Sequence, residues 1–433
     1  DSNIFNIGTA YRSYGSPQAY TLSEPLMDMM AEELGMDPFE FRYKNICREG
    51  DKNINSYVYP QYPMEKIMDT MRPIYEKAVA DAKAADTPEK RRGVGIAWGG
   101  FNVTEGGGDS AEVALELMPG NKIRKYDTWH AMGQGATTGS LVVTLEALKE
   151  MHLTPEDIQL IQNDTMAGAS RSLYMDGNAT IIAANKLLAA MRKEDGTLRT
   201  YDEMKAEGIE TKYLGRYETN TTPGLCRLDP NTGIGDPTPA FTYCLNLAEV
   251  EVDTKTGKTT VLKFTCVDFV GRIGNIDAVN GQAYSGIMHG IGFALKEDYA
   301  DVKKHANMFG AGTSYIKDVP DDINLIHIDG AISDGPFGSS GASEAFQASG
   351  HCAVLNGIYN ACGVRIHEIP ALPEKVKAGL DAIAKGEKPY EPKKYFLGSD
   401  MYEELENIKE NPVQVGTQSF YVSLDDPTAE RPF

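Results

Sequence analysis

The segment Tyr243-Cys-Leu-Asn-Leu-Ala-Glu-Val-Glu-Val252, followed by Asp253-Thr-Lys-Thr-Gly257 and then Thr259-Thr-Val-Leu-Lys-Phe-Thr-Cys-Val267, decides the fold class. Two β-like runs flank a glycine-containing turn, the signature of an antiparallel hairpin. Helical signals surround it. Ser23 caps a run before Pro25 in which Leu26, Met29, Met30 and Leu34 recur at helical spacing, and Asp37-Pro38-Phe39-Glu40 opens a second helix as a capping box. Ser140 precedes Leu141, Thr144, Leu145 and Leu148, and Thr154-Pro155-Glu156-Asp157 opens a short helix. Residues 176–191, 282–295, 344–361 and 372–383 read as further helices. Hairpins mixed with helices, without regular βαβ alternation, predict an α+β fold.

The chain has 433 residues, enough for two or more domains. Apolar residues make up 41% and charged ones 24%, with no run of the ~20 apolar residues that a bilayer span needs. Against 42 Lys and Arg stand 62 Asp and Glu, a formal charge of −20. A chain that acidic repels a phosphate backbone, so nucleic acid is not an expected partner. The six cysteines are scattered and form no CxxC pair, which reads as reduced thiols in a cytoplasm. The seven histidines show no HExxH or HxH spacing, so any metal must be held mainly by something other than side chains. The first residues, Asp1-Ser-Asn-Ile-Phe5, carry neither an initiating Met nor a signal sequence, and read as the middle of something.

Glycine, at 43 residues, is the unusual count, and its placement is informative. Conspicuous loops are Arg12-Ser-Tyr-Gly-Ser-Pro-Gln18, Gly106-Gly-Gly-Asp109, Gly133-Gln-Gly135 running to Gly139-Ser140, Ala167-Gly-Ala-Ser-Arg171 and Gly335-Pro-Phe-Gly-Ser-Ser-Gly341. Four of these are expected to run into helix N-termini, where unpaired N–H groups and the dipole favour anions. One such loop is ordinarily a tight turn; the set points to a single large, multiply anionic ligand. There is no Walker A lysine and no GxGxxG placed after a strand, so neither ATP nor NAD fits. The last loop continues to Glu344, a candidate general base in a dry, anion-crowded pocket, with a helix-dipole partner as the competing reading.

The order of Ala10-Tyr-Arg-Ser-Tyr-Gly-Ser-Pro-Gln18, Asp37-Pro-Phe-Glu-Phe-Arg-Tyr-Lys-Asn45, Gly133-Gln-Gly-Ala136, Gly168-Ala-Ser-Arg171, Gly281-Gln282, Asp334-Gly-Pro-Phe-Gly338 with Gly341 and Glu344, and Gly363-Val-Arg-Ile366 resembles the C-terminal part of the molybdenum subunit of the xanthine oxidase family. The likeness covers about residues 1–385 and is nearest to bacterial molybdenum aldehyde oxidoreductases. It implies a molybdenum held by the dithiolene of a molybdopterin, in bacteria often the cytosine dinucleotide, and so no protein ligand to the metal. It implies Glu344 as the catalytic base. It places Arg12, Gln134, Gly135, Gly168, Ala169, Ser170, Arg171, Gln282 and Gly341 at the cofactor. Tyr14 and, less directly, Phe101 face substrate in this reading, with ordinary packing as the competing one.

The implied activity is oxidation of an aldehyde to a carboxylic acid with oxygen from water, electrons leaving through [2Fe–2S] clusters. Hydroxylation of an N-heterocycle such as nicotinate or a purine, and a non-catalytic scaffold of the same fold, are the alternatives. Implied partners are the N-terminal half of the molybdenum subunit, an iron–sulfur subunit and, in some members, an FAD subunit. Either the enzyme is split between chains, or the sequence is part of a longer polypeptide. The expected division is 1–50, the end of a first cofactor-binding domain; 51–385, a second; and 386–433, a surface-wrapping extension. Two departures stand out: only Met166 and Ala167 separate Thr165 from Gly168, and Ser343 replaces the family's usual glycine beside Glu344.

Overall fold

β-Branched and aromatic alternation in the two runs quoted first does produce paired strands. In the computed structural model, Tyr243 faces Phe269 and Val252 faces Thr259 across an antiparallel ladder. The structure describes residues 11–389 except 60, 104–108, 168–169, 220–228, 230, 236–237, 239, 300, 302 and 333, together with 407 and 410. The expected extension from 386 therefore lies almost wholly outside the described residues.

In chain order the elements are α1 (Ser16–Glu33), α2 (Pro38–Asn45), α3 (Met64–Ala85), β1 (Lys90–Asn102), β2 (Ser110–Met118), β3 (Lys122–Trp129), α4 (Ala136–Ala147), β4 (Ile158–Ala167) and α5 (Arg171–Met191). There follow α6 (Tyr201–Ala206), β5 (Lys212–Glu218), β6 (Phe241–Asp253), β7 (Thr259–Phe269), α7 (Ile276–Leu295), β8 (Asp322–His327), α8 (Gly350–Cys362) and α9 (Pro373–Ala384).

Two four-stranded sheets result, ordered β1-β6-β7-β8 and β4-β3-β2-β5. Each contains one parallel pair, β7·β8 and β3·β4, joined by a helix, α7 and α4 respectively. The fold is α+β, with two βαβ crossovers that the strand-by-strand reading did not expect. The succession hairpin–helix–strand–helix occurs twice, as β2-β3-α4-β4-α5 and as β6-β7-α7-β8-α8. The fourth strand of each sheet is exchanged: β1, ahead of the first unit, pairs with β6, and β5, ahead of the second, pairs with β2. No periodicity in the sequence announces this duplication, because only the topology repeats.

The helix behind each sheet lies close to the exchanged strand, and glycine permits it. A Cβ at Gly95 of β1 would sit 2.1 Å from the Ala353 carbonyl oxygen of α8; one at Gly215 of β5 would sit 2.0 Å from that of Ala179 in α5. Neither distance is physically allowed, so both positions need hydrogen in place of a side chain. The core is otherwise ordinary. Ile67, Met68 and Met71 of α3, fully buried with Val113, Leu115 and Leu117 of β2, contribute roughly 1.5–3 kcal/mol each.

Helix starts differ from the expectations at several points. The first helix begins at Ser16 after Gly15 and carries Pro25 inside it, rather than beginning at Ser23. The third helical run begins at Ala136 after Gly135, which leaves Ser140 buried in its second turn. α5 and α7 start before the residues expected, at Arg171 and Ile276, and Thr154 caps only a 3-10 turn over Pro155–Asp157. The run after Glu344 is broken into a 3-10 turn, Ala345–Gln347, and α8. Two helices contain an internal proline, Pro25 in α1, which the sequence reading places at the helix start, and Pro73 in α3, a helix absent from that reading altogether. The capping aspartate was read correctly: Asp37 accepts from the N–H groups of Phe39 and Glu40.

Candidate active site

The duplicated topology brings the N-termini of α4, α5 and α7 to one place, at the C-terminal ends of β3, β4 and β7. Gly133–Gly135 precede α4, Ser170 precedes α5, and Gly271-Arg-Ile-Gly-Asn275 precedes α7. These ends line a cavity of about 350 Å3 with Trp129, Gln134, Gly135, Ser170, Gln282 and the run Ser339–Ser343. The expectation of helix N-termini holds for three loops, before α1, α4 and α5. The fourth, Gly335–Gly341, runs into 3-10 turns instead, and the loop before α7 supplies the remaining helix end.

Arg12 and Glu344 are not among the residues that line this cavity; they come together beside it, where Arg12 bonds the lining residues Gln282 and Ser343. The Arg12 guanidinium donates through Nε to the Ser343 carbonyl (2.7 Å), through Nη1 to Ser285 Oγ (2.7 Å) and through Nη2 to the Gln282 carbonyl (2.9 Å). Burial pushes its pKa down to about 10, with the Glu344 carboxylate pulling the other way. Glu344 is buried; its Oε1 accepts from the Ser13 N–H (3.2 Å) and its Oε2 from the Ser170 N–H (2.8 Å). Two main-chain donors from opposite sides thus fix the carboxylate plane. The Glu344 N–H donates in turn to Ser170 Oγ (3.3 Å), and Ser13 Oγ donates to the Glu344 carbonyl. Ser13 and Tyr14 hold positive φ of 78° and 49°, strained for non-glycine residues, and this kink aims the Ser13 N–H at Glu344.

Close packing is enforced at Gly341, where a Cβ would lie 1.8 Å from the Ser170 carbonyl oxygen. Gln134 lines the cavity but bonds within its own loop, accepting from the Met132 N–H and donating to the His130 carbonyl. Arg171 does not line the cavity and pairs with Asp109 at 3.0 Å. Tyr14 is 69% exposed and outside the cavity wall, and Phe101 is buried at the end of β1, also away from it. Gly168 and Ala169 lie outside the described residues.

Three contributors escaped the sequence reading. Ser13 and Ser285 carry no signal, since their partners are distant in sequence. Arg272 lines the cavity and has no ion pair among the described residues, and the loop Gly271–Asn275 had the same glycine-before-helix pattern that picked out the others. Behind α4 lies a second polar group: fully buried Lys125 donates to Ser140 Oγ (2.8 Å), which donates to Asp127 Oδ2 (2.6 Å). Burial raises the nearby Asp176 carboxyl to about 7 against the pull of Lys125.

Among the described residues no group of three His, Cys, Asp or Glu side chains could hold a metal ion. The wall fits an organic anionic cofactor instead: three helix N-termini, together with Arg272 and the buried Ser340 hydroxyl, which among the described residues have no ion-pair and no hydrogen-bond partner respectively.

Fold and site together define a scaffold for an anionic organic cofactor, and the comparisons with known proteins name its kind. Residues 71–320 match the molybdopterin cofactor-binding domain family, and residues 5–46 match a second family of the same description. The aldehyde oxidoreductase of Megalodesulfovibrio gigas is 40% identical over 382 residues, 87% of this chain and 42% of that protein. The solved aldehyde oxidoreductase from Desulfovibrio gigas superposes with a TM-score of 0.83 at 40% identity, over 87% of this chain and 42% of that one. The gamma subunit of the 6-hydroxypseudooxynicotine dehydrogenase complex of Paenarthrobacter nicotinovorans is 22% identical over 88% of this chain and 52% of its own length. This chain belongs to the molybdopterin cofactor-binding domain family, of the xanthine oxidase type. It spans about two fifths of the aldehyde oxidoreductase that it matches. No described helix is long and apolar enough to cross a membrane.

Proposed function

We propose that this chain is the catalytic, molybdenum-cofactor-binding part of a hydroxylating oxidoreductase that converts an aldehyde to a carboxylic acid, with water as the oxygen source. The observation that carries the reading is the Glu344 carboxylate, clamped by the Ser13 and Ser170 N–H groups beside a cavity ringed by helix N-termini. Likeness to an aldehyde oxidoreductase, at 40% identity, supports the substrate class.

Gln134, Gly135, Ser170, Gln282 and Gly341 line the wall that would hold the cofactor, with Arg272 available for a phosphate charge. Arg12 joins Gln282 to Ser343 and so ties that wall to the base; Arg171 acts from outside it through Asp109. The cofactor, when bound, supplies two-electron redox chemistry at a molybdenum that needs no protein ligand. Glu344 takes up the proton released as water-derived oxygen is transferred; each carboxylate oxygen keeps a lone pair beyond the one its N–H donor occupies. Tyr14 and Phe101 remain the substrate-side assignments.

Electrons leave to [2Fe–2S] clusters on a partner, with FAD on a further one in the fuller assembly. The cofactor is the cytosine dinucleotide form, the domain division is 1–50, 51–385 and 386–433, and the compartment is cytoplasmic; the scattered cysteines support that compartment, the five among the described residues being unpaired. Metal and nucleotide analysis of the isolated assembly, followed by turnover with aldehydes and with N-heterocycles, tests the reading. Stoichiometric molybdenum with aldehyde turnover is expected; absence of molybdenum, or activity on heterocycles alone, overturns it.

A further inference from the structure

Each of the two βαβ crossovers carries the same buried arrangement, built from different side chains, beside a helix that lines the cavity. In the first, Asp127 lies near the end of β3, and Ser140 is the fifth residue of α4, which opens at Ala136. Ser140 Oγ donates to Asp127 Oδ2 at 2.6 Å, and Lys125 Nζ donates to Ser140 Oγ at 2.8 Å. In the second, Asp268 lies next to the end of β7, and Asn280 is the fifth residue of α7, which opens at Ile276. Between them stands His327 of β8, its Nδ1 2.8 Å from Asp268 Oδ2 and its Nε2 2.8 Å from Asn280 Oδ1. Both carboxylates are buried.

The register of the parallel strands places His327 opposite Asp268. Opposite Asp127 on β4 is Gln162, which bonds to the Trp129 carbonyl instead, and the first crossover uses Lys125 of its own strand. Burial pushes the Asp268 carboxyl up from its ordinary value, while His327 holds it down. A carboxylate at this depth needs a donor, but charge compensation alone does not require that the same group also grip a helix. In both crossovers it does, and at the same helical position.

Asn280 sits on the far side of α7 from the cavity. At about 100° per residue, Ala278, Val279 and Gln282 share the lining face and Asn280 falls well outside it. The same helix holds Arg12 through the Gln282 carbonyl and Ser285 Oγ, and Arg12 bonds the Ser343 carbonyl next to Glu344. Asn275 caps α7, but its bond to the Ala278 N–H is local: it fixes the first turn, not the place of the helix on the sheet.

We propose that Asp268, His327 and Asn280 form a tether that sets α7 on its sheet, with His327 and Asn280 as positioning residues for the cofactor wall and for Arg12. The inference rests on the cofactor-binding reading given above. Through Gln282 the tether acts on the wall; through Arg12 and Ser343 it acts on the placement of Glu344.

Asn280→Ala tests the tether without stripping a buried charge, since Asp268 and His327 keep their mutual bond. Alanine is the better helix former, so a purely local role for Asn280 predicts an unchanged or raised melting temperature and unchanged amide exchange. In the assembly as purified, the tether predicts exchange over residues 279–288 faster by about tenfold. It also predicts that kcat for an aldehyde falls about fivefold at an unchanged KM. Asn280→Asp keeps the acceptor oxygen and should restore both. Exchange equal to wild type in Asn280→Ala overturns the proposal; so does equal impairment in Asn280→Asp, or an unchanged kcat despite faster exchange. The exchange comparison needs no cofactor, and so it reads the tether apart from the activity. Faster exchange rescued by aspartate, in a preparation without molybdenum, leaves the tether standing and removes the functional reading; molybdenum and turnover with unaltered exchange do the reverse.

Discussion

The main-chain N–H of Ser170 donates to Glu344 Oε2 at 2.8 Å, across 174 residues of sequence. The start of α5 in the first repeat thereby holds the carboxylate that precedes α8 in the second, so the base sits where the two repeats meet. Chemistry that depends on Glu344 depends on both repeats being folded.

Glu344→Gln keeps the shape but replaces one acceptor oxygen with an NH2 that faces a main-chain N–H. We expect the cofactor to remain bound and turnover to fall by about 10²–10⁴-fold, the range lost with a general base. Pterin content and steady-state rates on the purified assembly measure the two effects; near-normal turnover removes the role.

At Gly341, alanine would drive a Cβ to 1.8 Å from the Ser170 carbonyl. The main chain must move, at a cost of about 3 kcal/mol or more, the upper end for overpacking. Gly281→Ala in α7 meets nothing within 4 Å and should be neutral, or stabilising by up to ~1 kcal/mol. Thermal melts of the two variants compare a close approach with an open position, and equal midpoints would refute the distinction.

Removing Arg42 leaves Glu24 and Asp28 buried without their cation. Arg42→Ala should destabilise by about 3–5 kcal/mol and loosen α1, and with it Ser13 and Arg12. Hydrogen exchange over residues 11–33 reads the local part, and protection equal to wild type would count against the linkage.

His351 is fully buried, with Nε2 2.7 Å from Thr21 Oγ1, and burial pushes its pKa from 6.5 down to about 4. The unfolded chain takes up this proton first as pH falls. Stability present at neutral pH is therefore lost between about pH 6.5 and pH 4, by on the order of 3 kcal/mol for this group. Denaturant titrations at several pH values should show that slope, and His351→Gln should flatten it; an unchanged slope would assign the acid sensitivity elsewhere.

The hairpin 243–267 was legible because strand pairing there is local, and Asp37 because a cap bonds residues two and three positions on. α3 has no counterpart in the sequence reading; Pro73 interrupts it locally, and tertiary packing of Ile67, Met68, Met71 and Tyr75 sustains the helix through it. The glycine loops led to the cavity, yet Arg272 was passed over in a loop of the same kind.

Sequence alone determined the α+β class, the resemblance to the molybdenum-subunit family and five of the residues that line the cavity, Gln134, Gly135, Ser170, Gln282 and Gly341, because turns, caps and glycine-rich approaches are written in short stretches. Tertiary structure decided the rest. The exchange of β1 and β5 between sheets and the kink that turns the Ser13 N–H toward Glu344 both arise from contacts between residues far apart in the chain. No local pattern encodes a partner that only the folded chain brings within reach.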